Sequence, residues 1–513
     1  MTDNTHILNF TWFGRAFKTT LLLIFFIELL SFFTHWINPF LSINNLVFVV
    51  LCFFIACISI YRLQYGVYTA LIELFIGSQG HYFDLVINGQ TISIRMAIFV
   101  IVLLSFFYHT IRQKTLKQFL SVIFKNKSLL LLGLVCLWGL LMALIKGNTL
   151  GNIFNDFNAW LYFLYLLPLI YILREKKYLA PVWPILLASV TAVSLKSLFF
   201  LYAFSHKFSN LQNYLYDWGR DTRWGEFTLV SGGLFRIFSQ AQLFTMIGAV
   251  ILLVDILLIK KTKTNTKDWW YCAAIVALSV VTVLLSLSRS FWVGLLAAGI
   301  VILGFAIFYY RYKFTNILGL AGKALILALL SFIVLAIALF FPVPQQTVIN
   351  PSSALNSRFD IQDQAGASRW NQLPHLFKAI TKHPILGSGW GTTITYESRD
   401  PRITSIKNPT GVYTTYAFEW GYLDIILKIG VIGLLIYLAF IYQIVRNLFI
   451  QLKNKEVHSN NALLIGLFLG LVALVATHVF SPYLNHPLGI GYIILVMATI
   501  ECLNYSKTVP IKS

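Results

Sequence analysis

Apolar runs of about twenty residues recur along nearly the whole chain, and a bilayer is the solvent that such repetition suits. They fall near 17–37, 43–61, 66–77, 94–111, 129–146, 158–174, 180–203, 237–259, 270–288, 291–309, 324–341, 422–445, 461–481 and 487–503. Only 11% of the 513 residues are charged and mean hydropathy is +0.75, whereas a soluble protein carries about a quarter charged. Long unbroken runs also exclude a transmembrane barrel, whose strands alternate every second residue. The expectation is an all-α polytopic membrane protein with about 12–14 transmembrane helices. The run at 66–77 is the shortest; keeping it as a span puts every basic cluster on one face and both termini in the cytoplasm.

Those clusters, "HTIRQKTLKQFLSVIFKNK" (109–127), "REKK" (174–177), "KKTKTNTK" (260–267), "YYRYK" (309–313) and "RNLFIQLKNK" (446–455), account for most of a net charge of +20. Each lies between apolar runs, as the positive-inside bias requires. None interleaves with the aromatic platforms that single-stranded nucleic acid needs, so no nucleic-acid partner is expected. The five cysteines (Cys52, Cys57, Cys136, Cys272, Cys502) fall in or beside apolar runs and read as small hydrophobes. The first apolar run lacks a cleavage pattern after it and reads as a retained span.

The other face holds the informative segments. Short ones are 77–95 and 146–158; longer ones are 204–236 and the polar stretch of about 80 residues at 342–421, too long for a simple connector. The chain therefore divides into a helical bundle (1–341), an extracytoplasmic loop (342–421) and C-terminal transmembrane helices (422–513). Within the loop, "ASRWNQLPHLFKAITKHP" (367–384) has Trp370, Leu373, Phe377 and Ile380 at helical spacing. Ser368 is its expected cap, and Pro374 limits its regularity. Such an amphipathic helix suits a membrane interface.

Arginines on this face are the strongest chemical signal: Arg220, Arg223 and Arg236 in "YDWGRDTRWGEFTLVSGGLFRIF" (216–238), then Arg289, Arg358, Arg369, Arg399 and Arg402. A guanidinium fork binds phosphate oxygens in a bidentate way and keeps its charge. The plainer role is pairing with Asp217, Asp221, Glu226 and Asp360, or snorkelling to headgroups. Arg223 and Arg289 stand out because both sit close to span ends, while Arg236 also fits as a marker of the next span. Glu419, at the end of the loop, is the candidate general base. Asp424 reads as a partner of Lys428 one turn later, and Asp156 as a cap for the following helix. Gly387, Gly389 and Gly391 in "LGSGWGTT" read as a tight turn. The histidines His375, His383, His478 and His486 lack metal-ligand spacing, so no metal is expected. An arginine-lined cavity between spans serves either a glycan-transferring enzyme or a transporter of an anionic lipid-linked glycan. A transporter usually shows internal repeats, which this chain does not clearly have.

The run "SLSRSFWVGLLAAGIVIL" (286–303), the loop segment "SRWNQLPHLFKAITKHPILGSGWGT" (368–392) and "EWGYLDIILKIGVIGLLIYL" (419–438) resemble the O-antigen ligase and O-antigen polymerase superfamily. "YDWGRDTRWGEF" and "NDFNAWLYFLYLLPLI" are similar to segments of these proteins too, so the resemblance spans roughly 150–440. It implies a GT-C-like, metal-independent glycosyltransferase of the cytoplasmic (inner) membrane, with no cofactor. Its donor would be a glycan on undecaprenyl diphosphate and its acceptor a glycan or lipid hydroxyl. Arg223 and Arg289 become diphosphate binders, with Arg220 and Arg369 as second choices, and Glu419 the catalytic base. Ligases typically carry a His-Asn pair before "YLxxLxxxGxxG"; here "YLDIILKIGVIG" (422–433) follows Glu419–Trp420. That departure favours a polymerase of polysaccharide repeat units over a ligase onto lipid A–core.

Overall fold

A computed structural model describes residues 11–41, 43–258, 266–342, 350, 352–353, 364–398, 403–404, 408–453 and 461–505. Arg358, Asp360, Arg399 and Arg402 lie outside these residues. Helices α1 (Arg15–Leu41), α2 (Asn44–Tyr61) and α3 (Leu63–Ile76) come first, followed by a hairpin of β1 (Asp84–Ile87) and β2 (Gln90–Ser93). Next are α4 (Ile94–Arg112), the short α5 (Leu116–Lys125), α6 (Lys127–Ile145) and α7 (Leu150–Phe157). A 3₁₀ stretch, Asn158–Tyr165, joins α7 to α8 (Leu166–Leu173). α9 (Val182–Ser205) and α10 (Ser209–Asp221) lead into a second hairpin, β3 (Glu226–Leu229) and β4 (Phe235–Phe238). α11 (Gln242–Leu257), α12 (Thr266–Leu285), α13 (Arg289–Gly304) and α14 (Phe314–Phe340) precede the large loop. The loop contains α15 (Gln364–Ile380) and the strand pair β5 (Ile394–Glu397) and β6 (Val412–Thr415). α16 (Gly421–Leu452), α17 (Asn461–His478) and α18 (Pro487–Tyr505) complete the bundle.

Twelve helical segments among the described residues are long and apolar enough to span a membrane. Two shorter apolar helices, α3 and α11, bring the set to the fourteen runs read from the sequence. At about 1.5 Å per residue α3 is only about 21 Å long, less than the roughly 30 Å hydrocarbon core. Protein rather than lipid surrounds it: every residue from Ala70 to Ile76 is buried. α11 is likewise buried along most of its length. α1, α2 and α14 show the opposite character and leave most of their apolar side chains outward. An outer ring in contact with lipid therefore encloses inner helices that are apolar all round.

Segments that hydropathy assigns to one face meet one another. Arg174 lies over the Phe119 ring at 3.8 Å, joining the basic turn after α8 to α5. On the face carrying the large loop, Gln240 N–H donates to Ser78 Oγ at 3.2 Å, and the Ser481 and Ser290 hydroxyls lie 2.9 Å apart. Asn88 and Gly89 turn the first hairpin with positive φ (51° and 77°), the geometry that an Asn-Gly pair supplies to a tight β-turn.

The loop does not simply pass over the bundle. Its segment 384–392, "PILGSGWGT", descends between α6 and α16. α16 is broken at Gly430 (φ 74°, ψ 176°), and the break releases backbone groups that lipid cannot solvate. The loop takes them up: Ser388 N–H donates to Leu427 C=O at 2.7 Å and Gly389 N–H to Lys428 C=O at 2.9 Å. In return Val431 N–H donates to Pro384 C=O at 2.9 Å and Ile432 N–H to Ile385 C=O at 3.3 Å. The fully buried Trp390 reaches α6, where its indole N–H donates to Cys136 C=O at 2.9 Å. Cys136 lies about 14 Å below the end of α6 at helical rise. Gly387, Gly389 and Gly391 thus form more than the expected turn. All three have positive φ (76°, 89°, 73°), and a Cβ on each would strike the backbone of α16, α6 and α7 respectively. For Gly389→Ala, with its Cβ 2.3 Å from Ala143 N, we expect a loss of at least about 2 kcal/mol. A marked drop in melting temperature of the purified protein in detergent checks this; an unchanged value would refute the tight docking.

Candidate functional site

Beneath the docked loop lies a buried charge network. Lys428 Nζ is 2.5 Å from Asp156 Oδ1 and 2.6 Å from Asp424 Oδ1, with all three side chains at most 8% exposed. Asp156 Oδ2 accepts from Gly391 N–H at 2.8 Å, and Asp424 accepts from the Asn485 amide. One lysine therefore ties α7, the loop, α16 and the segment between α17 and α18. The Asp424–Lys428 pair is as the spacing implied. Asp156 differs from expectation: it sits in the last turn of α7, so it caps no following helix and serves as the second counter-charge.

Above this network Glu419 forms an ion pair with Arg369, which lies on α15. Trp420 ties the same two elements, its indole N–H donating to Arg369 C=O at 3.1 Å. Trp370 meets Trp420 edge to face at 5.3 Å, and Phe480 lies 5.6 Å from Trp420. α15 begins at Gln364, so Ser368 is inside the helix rather than its cap, and the helix runs on through Pro374 to Ile380. Its buried side overlaps the expected stripe at Ile380. Leu376 and Ile380 pack with Ile394, Phe418 and Leu427, while Trp370 and Phe377 stay exposed. The helix docks on the strand pair and on α16, and that contact selects the face.

The arginines form two groups. Arg220 is exposed in the last turn of α10, and Arg223 follows with φ 48°, its Nη1 3.3 Å from His81 Nε2. His81 is fixed in turn by Asp84, 2.9 Å away. The second group centres on β4. Arg236 Nε–H donates to Ser286 C=O at 2.8 Å, its Nη1 lies 3.9 Å from Glu226 Oε2, and its guanidinium covers Phe238 at 4.8 Å. Arg236 is therefore more than a span marker; it holds the turn that leads into Arg289, the first residue of α13. Next to Arg289, the Ser288 and Ser290 hydroxyls are 2.9 Å apart.

Polar residues that the sequence reading passed over complete this face. Arg95 Nε–H bonds Glu73 Oε2 at 2.9 Å, and its Nη1 donates to Ser78 C=O at 2.7 Å, both side chains buried. The 481–486 segment lies at the centre, with Tyr483 stacked on Phe291 at 5.6 Å and His486 beside it at 5.9 Å. Burial, and secondarily the charge of Arg95, push the His486 pKa down to about 3, so this imidazole is neutral. Ser481, Tyr483, Asn485 and His486 in "SPYLNHP" carry no spacing signal, and only the tertiary fold gathers them. No group of three or more possible metal ligands exists among the described residues.

Residues 273–438 match a family model described as O-antigen ligase. This segment is similar to the O-antigen ligase family and supports the O-antigen ligase and polymerase superfamily. The match to this superfamily runs from α12 to the middle of α16 and includes Arg289, Arg369, Glu419, Lys428 and the docked loop, whereas Arg220 and Arg223 precede it. No curated protein matches the chain significantly. The superfamily assignment thus rests on the segment that carries the broken helix. Lys428→Met strands two buried carboxylates and should cost about 3–5 kcal/mol. Adding Asp156→Asn and Asp424→Asn should restore much of the melting temperature, and a triple variant no better than the single one would count against the network.

Proposed function

We propose that the chain is a glycosyltransferase that moves a glycan from undecaprenyl diphosphate to an acceptor hydroxyl and polymerises surface polysaccharide repeat units. The loop face is then the extracytoplasmic side of the cytoplasmic (inner) membrane. The observation that carries this reading is the Arg369–Glu419 pair beside Trp370, Trp420 and Phe480. It sets a carboxylate and a guanidinium beside aromatic rings near the N-terminal end of α16, and this reading takes those rings as faces for sugars.

In this reading Glu419 takes the proton of the acceptor hydroxyl as its oxygen bonds to the anomeric carbon. The bond from that carbon to the phosphate oxygen breaks, and the diphosphate leaves with the electron pair. Arg289, Arg223 and Arg220 stabilise the charge that develops on it. Arg369 exchanges its carboxylate partner for phosphate when the donor arrives, which frees Glu419 for the proton. Neither metal nor cofactor takes part in this scheme. The Glu419–Trp420 sequence in place of a His-Asn pair supports a polymerase; the matched family's description, O-antigen ligase, supports a ligase as the second reading, with lipid A–core as its proposed acceptor.

Glu419→Gln should lower polymer formation about a hundredfold or more while the protein stays in the membrane. Normal polymer ladders from that variant would remove Glu419 from the reaction. Arg289→Lys keeps the charge and loses the fork, and should cost at least about tenfold. Full activity with lysine would exclude bidentate binding there. Purified protein incubated in detergent with lipid-linked repeat units, with and without a lipid A–core acceptor, separates the alternatives. Elongation alone indicates a polymerase, transfer to the core a ligase, and no reaction without a sealed bilayer a transporter.

A further inference from the structure

α1 and α9 do not close on each other along their whole length. Between them runs a groove of about 820 Å³ whose lining on α1 extends from Phe17 to Phe33. That is about 24 Å of helix. α9 walls its upper part with Ala192, Leu195 and Phe199, and α10 roofs it with Leu211, Leu215 and Trp218. The wall is apolar apart from Lys18 and one ion pair. Lys196 Nζ is 2.6 Å from Glu28 Oε2 and 3.0 Å from the Tyr82 hydroxyl, and it sits over the Trp218 and Trp224 rings at 4.0 and 4.2 Å. The charges cancel inside an aromatic cage and leave the groove little net polarity.

Two features limit what fits. A phospholipid acyl chain reaches only to the midplane, about 15 Å from its headgroup level, and this groove is longer than that. Its roof helix α10 also carries Arg220 in its last turn and delivers the chain directly to Arg223. We propose that the groove binds the polyisoprenyl tail of the donor, threading it from the α10 arginines down α1. This rests on the donor proposed above. The tail then fixes the diphosphate from behind, and a long chain binds more tightly than a short one.

The test compares undecaprenyl diphosphate with farnesyl diphosphate, measuring binding to the purified full chain in detergent. Wild type should bind the long chain at least about tenfold tighter, a gap of about 1.4 kcal/mol. Leu195→Trp and Ala192→Phe fill the groove; both should lose that advantage and keep farnesyl diphosphate affinity. Leu296→Trp, on the outward side of α13 and 65% exposed in wild type, should change neither. Retained chain-length preference in both filled variants would overturn the groove assignment, and so would displacement of the long chain by excess phosphatidylglycerol. If wild type binds neither diphosphate, the donor reading itself falls.

Discussion

A lysine ammonium held between two carboxylates, about 10 Å inside the end of a membrane helix, is the constraint from which the loop face follows. Lys428 cannot be left alone in a low-dielectric interior, and its partners come from separate parts of the chain. Asp424 lies one turn away on α16, but Asp156 arrives on α7, and Asp156 in turn holds Gly391 of the loop. The break at Gly430 makes the same demand through the backbone. Its freed carbonyls and amides need partners, and 384–392 supplies them pair by pair. Charge and backbone satisfaction thus point to one arrangement. A polar loop enters the bundle because the helix beside it is broken and charged.

That docking sets the position of everything above it. Lys428 C=O anchors Gly389, and Leu427 packs under Leu376 and Ile380 of α15. α15 therefore stands at a fixed place over the N-terminus of α16, and Arg369 meets Glu419 there. On the other side, the β3–β4 hairpin holds Arg236 against the turn before α13. The segment between α17 and α18 bridges the two sides, Asn485 toward Asp424 and Tyr483 toward Phe291. Candidate base and candidate anion binders are thus mounted on one frame of helix ends, the rigidity that positioned chemistry requires.

Hydropathy made the membrane bundle legible down to the short run at 66–77, because spans are set by solvent rather than by partners. The loop-face chemistry was only half legible. Proximity to span ends singled out Arg223 and Arg289 as candidates among the arginines of that face, and spacing alone paired Asp424 with Lys428. The re-entrant "PILGSGWGT" was not readable as such: nine residues hold no period, and its three glycines answer to backbones more than 200 residues away in sequence for α6 and α7. The stripe on α15 told only part of its packing. Of Trp370, Leu373, Phe377 and Ile380, Ile380 joins Leu376 against Ile394, Phe418 and Leu427, while Trp370 and Phe377 stay exposed. Asp156 looked like a local cap because its true partner is 272 positions along the chain. The Asn88–Gly89 pair did carry a local hairpin signal, of the kind that needs no tertiary context.

The stretch 216–238 shows how one segment serves both membrane and site. On α10, which leads into it, Leu215 and Trp218 are buried and Leu211 lines the groove, while Arg220 and Arg223 stand at its end, so the helix is at once a lid on an apolar groove and a mount for positive charge. A lipid-linked anion has this same two-part character, an extended hydrocarbon joined to a diphosphate at the membrane surface. Complementarity to such a molecule requires apolar wall and guanidinium on adjoining turns, since separating them would leave either tail or charge in the wrong solvent. The acids nearby serve a further end. Glu226 beside Arg236 and Asp84 behind His81 place acids next to the basic groups of this face. Under the proposed function, a lipid-linked diphosphate would have to compete with carboxylates already in place, which lowers the gain per contact and would favour a ligand that brings two phosphates and a tail together.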